Sequence, residues 1–195
     1  MSPLGRFIKR AVDVAVAGAA LGAGWPFLAA LAILVRIDSP GPVIFRQERA
    51  GRGMKPFTMF KFRTMRAGVE TYDVSPMGPD DPRLTRLGRW LREATLDELP
   101  QLWNVLKGDM SLVGPRPLYM SQARQFTPRQ RRRLEVRPGL TGLAQIVGRG
   151  ELPHEEKLEM DVQYVERASL LLDLKILLRS VSLWVPSQRV YQKWT

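Results

Sequence analysis

The adjacent acids Asp97 and Glu98, within Thr95-Leu96-Asp97-Glu98-Leu99-Pro100, are the side chains best suited by type and spacing to do chemistry. Cysteine is absent and His154 is the single histidine, which excludes thiolate nucleophiles, disulfides, cysteine-ligated zinc and multi-histidine metal sites. Acid, base or nucleophilic work therefore falls to Asp and Glu, and any metal is expected to be a hard, oxygen-liganded ion such as Mg²⁺. Neighbours on a helix point about 100° apart, so one carboxylate can attack while the other holds a metal. Attack on phosphorus gives an acyl phosphate. Two anions repel, so such attack needs a divalent cation and arginines on the phosphate oxygens, with a helix dipole assisting. The competing reading is a helix start, in which Thr95 and Glu98 have capping-box spacing. In a slightly later start, Asp97 is the N-cap and Pro100 sits at N3, where no helical donor is lost.

The cations that phosphate chemistry requires are present: Lys61, Arg63, Arg92, Arg116, Arg137 and Arg149, the last two flanking a Gly-rich loop. Arginine's planar fork suits phosphate, and glycines let backbone N–H groups approach it. Arg129, Arg131, Arg132 and Arg133 form a denser run without interleaved aromatics, read as a solvated or membrane-facing patch. A formal charge of +11 points to a polyanionic partner. A basic nucleic-acid-binding module is thus an alternative, although no recognition motif supports it.

The elements that must position these residues begin with an apolar run. Val14 to Val35 carries no charge over 22 residues, roughly 33 Å of helix, enough to cross a bilayer. Basic residues flank both ends: Arg6, Lys9 and Arg10 before it, Arg36, Arg46, Arg49 and Arg52 after. Both ends thus prefer the cytoplasmic side. Pro26, near the midpoint, predicts a kink and makes a re-entrant helix-break-helix hairpin plausible beside an ordinary kinked span. Val43 to Glu48 and Pro56 to Phe62 predict a basic β-hairpin, and residues 72–83 a loop. Leu84, Leu87, Trp90 and Leu91, then Leu99, Leu102, Trp103 and Leu106, predict two helices. Lys107 to Pro117 and Arg137 to Gly142 read as irregular loops. A last helix carries Leu170, Leu171, Leu174, Leu177, Leu178, Val181, Trp184 and Val185 opposite Asp173, Lys175 and Arg179, and either covers a core or lies in the membrane interface. The fold class is α+β: a helix-rich, membrane-associated domain with a small β-hairpin.

Several stretches in order resemble the bacterial monotopic phosphoglycosyl transferases. They are Lys9-Arg10 with Asp13, GPVIFRQER (Gly41 to Arg49), KFRTM (Lys61 to Met65), DPRLTRLGRWLR (Asp81 to Arg92), LDELPQLWNVLKGDMSLVGPRP (Leu96 to Pro117), RPGLTGLAQ (Arg137 to Gln145), Gly148-Arg149, Asp161 with Tyr164, and LDLKI (Leu172 to Ile176). The resemblance implies a re-entrant membrane hairpin at 1–38, broken at Pro26, and a catalytic domain at 39–195 on the cytoplasmic face of the bacterial inner membrane. It implies that Asp97 attacks the β-phosphate of a UDP-sugar and releases UMP, that Glu98 binds Mg²⁺, and that polyprenyl phosphate then accepts the phosphosugar. Arg116 is the foremost phosphate-binding residue by this likeness, followed by Arg92, Lys61, Arg63, Arg137 and Arg149. Nucleic acid is not an expected partner, whereas membrane lipid is. An inactive membrane scaffold of the same ancestry is the other alternative. Trp25 stands where the family often has Ser before the membrane proline, and Leu143 where it has an aromatic.

Overall fold

The computed structural model describes residues 1–68, 78, 80–148 and 152–182. Helices dominate, with two small two-stranded sheets among the described residues. Helix α1 runs from Pro3 to Asp38. The Ser2 hydroxyl accepts from the Gly5 N–H at 3.1 Å, and Pro3 fills the first turn, where no donor is needed. Among the described residues it is the one helix long and apolar enough to cross a membrane.

The helix continues through Pro26, so the expected break is not an interruption of secondary structure. One missing N–H is a small perturbation when both flanks are pinned elsewhere. Lys9 donates to Asp173 at 2.7 Å and to the Val113 carbonyl at 3.0 Å. Arg10 reaches the carbonyls of Val105 and Leu106, and Asp13 accepts from the Leu112 N–H. At the other end Leu31 and Val35 are buried against Phe62, Leu91 and Leu96, and Asp38 accepts from the Leu87 N–H. Between these anchors Trp25 and Phe27 are exposed.

Strands β1 (Ile44–Ala50) and β2 (Pro56–Phe62) form the expected hairpin, with Ile44 opposite Phe62 and Ala50 opposite Pro56. Helix α2 (Arg86–Glu93) is capped by Thr85, whose hydroxyl accepts from the Gly88 N–H. It lies directly on the chain leaving β2: a Cβ on Gly88 would stand 2.0 Å from the Thr64 carbonyl oxygen. Helix α3 (Gln101–Lys107) ends at Gly108 in the left-handed region, φ 92°. Buried Asn104 joins α3 to the hairpin, donating to the Thr58 carbonyl and accepting from the Phe60 N–H. Trp90 and Trp103 are exposed, so the two predicted stripes turn their leucines inward, Leu84, Leu91 and Leu102 buried and Leu87, Leu99 and Leu106 half-buried, and present their tryptophans outward.

Strands β3 (Ser111–Val113) and β4 (Gly139–Thr141) pair in parallel inside the two stretches expected to be irregular. Three residues are too few to show alternation, and the flanking Gly and Pro hide them. Short helices α4 (Met120–Arg124), α5 (Pro128–Arg131) and α6 (Leu143–Gly148) lead to α7 (His154–Arg167) and α8 (Leu170–Ser182). Of the two readings left open for α8, covering a core does not hold for most of its leucine stripe. Asp173 and Ile176 face the interior, whereas Leu171, Leu174, Leu178 and Val181 are exposed. The cause is polar: Asp173 is buried because Lys9 and the Tyr164 hydroxyl, 2.7 Å away, both bond it. Trp184 and Val185 lie outside the described residues.

One core packs Ala17 of α1 against Leu102, Val105, Met110, Tyr164 and Ile176. A second joins α1 to β2 and α2, and a third lies beneath α4 and α7. Leu91 is fully buried in the second. Leu91→Ala is expected to destabilise the fold by about 2–5 kcal/mol, read as a lowered thermal midpoint in detergent; an unchanged midpoint would contradict this packing.

Candidate active site

Asp97 and Glu98 occupy a 3₁₀ turn, Leu96–Glu98, wedged between α2 and α3. Neither expected cap forms. Pro100 takes the capping position of α3 without a side-chain bond, and Thr95 makes no cap hydrogen bond. Instead Thr95 adopts the left-handed region at φ 58°, which costs a non-glycine residue about 1–2 kcal/mol. That turn sinks both acids beneath the surface, Asp97 at 5% and Glu98 at 7% exposure.

Buried carboxylates need partners. Lys61, on β2, lies 2.6 Å from Glu98 Oε1 and 3.9 Å from Asp97 Oδ2. Arg116, from the loop after β3, reaches the same Glu98 oxygen at 2.7 Å and Oε2 at 3.4 Å. Burial alone would raise the Glu98 carboxyl, but Arg116 and Lys61 outweigh it and hold Glu98 well below the usual carboxylate range. Asp97 goes the other way. Burial, reinforced by the Glu98 charge, pushes it up against the pull of Lys61, Arg92 and Arg116. Burial lowers the Lys61 ammonium, whereas Glu98 raises the Arg116 guanidinium. Two neighbours in sequence thus differ in character: Glu98 is a locked anion, and Asp97 a carboxylate poorly satisfied without a cationic ligand.

The remaining predicted cations divide. Arg92 bonds the Thr64 hydroxyl at 3.2 Å and acts electrostatically on Asp97. Arg63 is turned away: it is buried and clamps the Ser39 and Pro40 carbonyls after α1. Arg137 spends its Nε on the Gly108 carbonyl at 2.8 Å, with Arg10 and Arg52 as its charged neighbours. Arg149 lies outside the described residues. The basic run is not a bare patch either. Arg129 pairs with Glu159, Arg132 with Glu135 and Glu166, and Arg133 is buried against Asp161. This pairing accounts for three of the four arginines in the run, while the net charge of +11 that also motivated the nucleic-acid reading is unchanged.

Sequence reasoning passed over Arg49. Its guanidinium stacks 3.6 Å from the Tyr119 ring and donates twice to Gln47, and burial lowers its pKa to about 10, with Tyr119 and Glu98 opposing and Arg116 assisting. Strand alternation held the signal. Gln47 and Arg49 share one face of the hairpin with Lys61, because Phe45 opposes Lys61 and Phe57 opposes Arg49.

The loop carrying Arg116 is rigid. The Gly114 N–H donates to the Thr141 carbonyl, the Gly139 N–H to the Pro115 carbonyl and the Ala50 N–H to the Leu118 carbonyl. Gly139 is required here, since a Cβ on it would stand 2.1 Å from the Gly114 nitrogen. The result is a carboxylate beside a preset cationic wall, an arrangement suited to capturing a phosphorylated substrate.

A family model described as bacterial sugar transferase matches residues 4–187. The chain belongs to that family. It is 50% identical over 159 residues to a protein of Bacillus subtilis named as the uncharacterized sugar transferase EpsL, covering 82% of this chain and 78% of that one. It is 42% identical over 191 residues, 94% of this chain and 72% of the other, to the UDP-glucose:undecaprenyl-phosphate glucose-1-phosphate transferase of Caulobacter vibrioides. It is 40% identical over 186 residues, 92% of this chain and 44% of the other, to the UDP-N-acetylgalactosamine-undecaprenyl-phosphate N-acetylgalactosaminephosphotransferase of Aeromonas hydrophila.

The raised Asp97 carboxyl fixes a sign for this transferase's stability. An acid whose pKa is higher folded than unfolded penalises the fold above its folded value, and that penalty fades as pH falls through the raised value toward the ordinary one. Asp97→Asn is therefore expected to melt above wild type at neutral pH, the gap narrowing on acidification. A variant that melts lower at every pH would contradict this.

Proposed function

We propose that the protein transfers a sugar 1-phosphate from a UDP-sugar to membrane polyprenyl phosphate through a covalent intermediate on Asp97. The observation that carries this reading is the buried Asp97 carboxyl set 3.9 Å from Lys61, beside a Glu98 already locked by Lys61 and Arg116. The activities named for the Caulobacter and Aeromonas relatives support the donor and acceptor classes.

In the first step an Asp97 oxygen forms a bond to the donor's β-phosphorus. The bond from that phosphorus to the bridging oxygen breaks, and UMP leaves with the electron pair. Lys61, Arg116 and Arg92 offset the negative charge that otherwise repels one anion from another. The same cations favour the ionised Asp97 that attack requires, against its desolvation. In the second step a phosphate oxygen of the polyprenyl acceptor attacks the same phosphorus, and the acyl phosphate bond breaks to regenerate the carboxylate.

A hard divalent cation fits these donors. Glu98 is anionic and oxygen-donating, and no cluster of three or more acidic or histidine ligands exists among the described residues. Glu98 would hold Mg²⁺ jointly with the donor's diphosphate oxygens, the usual sharing for that ion. When bound, the ion supplies Lewis-acid neutralisation of the diphosphate.

A membrane reading is supported by the two anchors of α1. Its N-terminal flank is tied to β3, α3 and α8, and its C-terminal flank to β2 and α2. Both ends thus rest on one domain, and the apolar middle around Pro26, where Trp25 and Phe27 are exposed, is the part of α1 left to meet the bilayer. The exposed leucines of α8 lie in the headgroup layer, the acceptor's own depth.

Purified protein incubated with a UDP-sugar, Mg²⁺ and polyprenyl phosphate is expected to release UMP, with EDTA stopping release and Mg²⁺ restoring it. Asp97→Asn should lower the rate by about 10⁴-fold or more. Donor-treated wild type should carry a phosphosugar adduct on the peptide containing Asp97. UDP as the nucleotide product, or undiminished turnover in the variant, refutes the covalent scheme.

A further inference from the structure

Arg116 is held from behind as well as from the side. Its carbonyl oxygen accepts a hydrogen bond from Arg133 Nη2 at 2.6 Å. The same guanidinium is clamped by Asp161, whose Oδ2 lies 2.6 Å from Nη2 and 3.1 Å from Nε. Both residues are 3% exposed, and the Phe126 ring centroid lies 5.3 Å from the Arg133 guanidinium carbon. Arg133 comes from the 3₁₀ turn Arg132–Glu135 and Asp161 from α7. Two elements that contribute nothing to the acidic pair thus converge on the backbone of the residue that grips it.

Stability alone does not explain this pair. Burying two charges carries a large desolvation cost, and apolar residues of similar volume commonly serve a core as well or better. Here the cost is increased because Asp161 Oδ1 is buried with no hydrogen-bond partner. What the pair does supply is a donor at one particular point. Backbone N–H groups hold the carbonyls of Pro115 and Leu118, while the Arg116 carbonyl between them is held by the Arg133 side chain. Pro115 and Pro117 flank that point with fixed φ and no N–H of their own. Arg133, steadied by Asp161, therefore completes the fixing of the loop at the residue whose guanidinium must be aimed.

We infer that Asp161 and Arg133 are positioning residues for Arg116: the buried pair sets the Arg116 backbone so that its guanidinium can receive the donor's diphosphate. This rests on the transfer reaction proposed above. Both side chains are buried and bonded to each other, with Arg133 on the Arg116 carbonyl, so their effect passes through Arg116 and vanishes when Arg116 is removed.

The test uses UDP as probe on the purified full chain in detergent, with thermal midpoints and UMP release measured on the same samples. Asp161→Asn is expected to weaken UDP binding about tenfold in the wild-type background and to change it less than about twofold in Arg116→Ala. The charge-free pair Arg133→Met with Asp161→Leu should melt close to wild type yet keep the binding defect, because no donor then reaches the Arg116 carbonyl. That variant decides the matter where Asp161→Asn does not yield folded protein. Equal losses in both backgrounds, or wild-type UDP affinity in the charge-free pair, overturns the positioning role and leaves the reaction standing. A wild-type chain that neither binds UDP nor releases UMP overturns the reaction itself and the inference with it.

Discussion

The constraint from which the rest follows is electrostatic: two neighbouring carboxylates are sunk below the surface, and cations from distant parts of the chain must meet them there. Lys61 arrives on a strand, Arg116 on a loop after a second sheet, and Arg92 on the preceding helix. None can relax into water without leaving an anion uncompensated. Asn104 joining α3 to β2, and Gly88 set against Thr64, keep the acidic turn in register with these cations. The turn holds Thr95 in the left-handed region, a strain that persists only where the surrounding structure over-determines it.

The same constraint separates the roles of two chemically similar residues. Glu98 takes two cations for itself and becomes a fixed negative charge. Asp97 receives their influence at longer range and is left under-compensated. Under the proposed reaction this asymmetry distinguishes a ligand for a metal from a nucleophile. A single dielectric environment can therefore divide labour between adjacent acids through the geometry of their neighbours.

Much of this was legible in the sequence where a side-chain period or a rare composition spoke clearly. The absence of cysteine and the single histidine directed attention to Asp97 and Glu98, and alternation gave β1 and β2 within a residue or two. Illegible were features set by long-range partners. Strands β3 and β4 are three residues each and are defined by one another. The leucines of α8 left its inward face open, and buried Asp173 decides it through Lys9, 164 residues away in sequence. Arg63 and Arg137 had the right type for phosphate and were claimed by backbone carbonyls. Arg133 looked like one of four solvated charges until α7 supplied Asp161.

The contact of Gly114 with Gly139 ties two segments of the chain into one unit. The residue after β3 and the first residue of β4 meet there with bare main chain touching main chain, so neither can gain a side chain at the junction. A graft that transplants one of these segments into a sister protein therefore has to carry the other along.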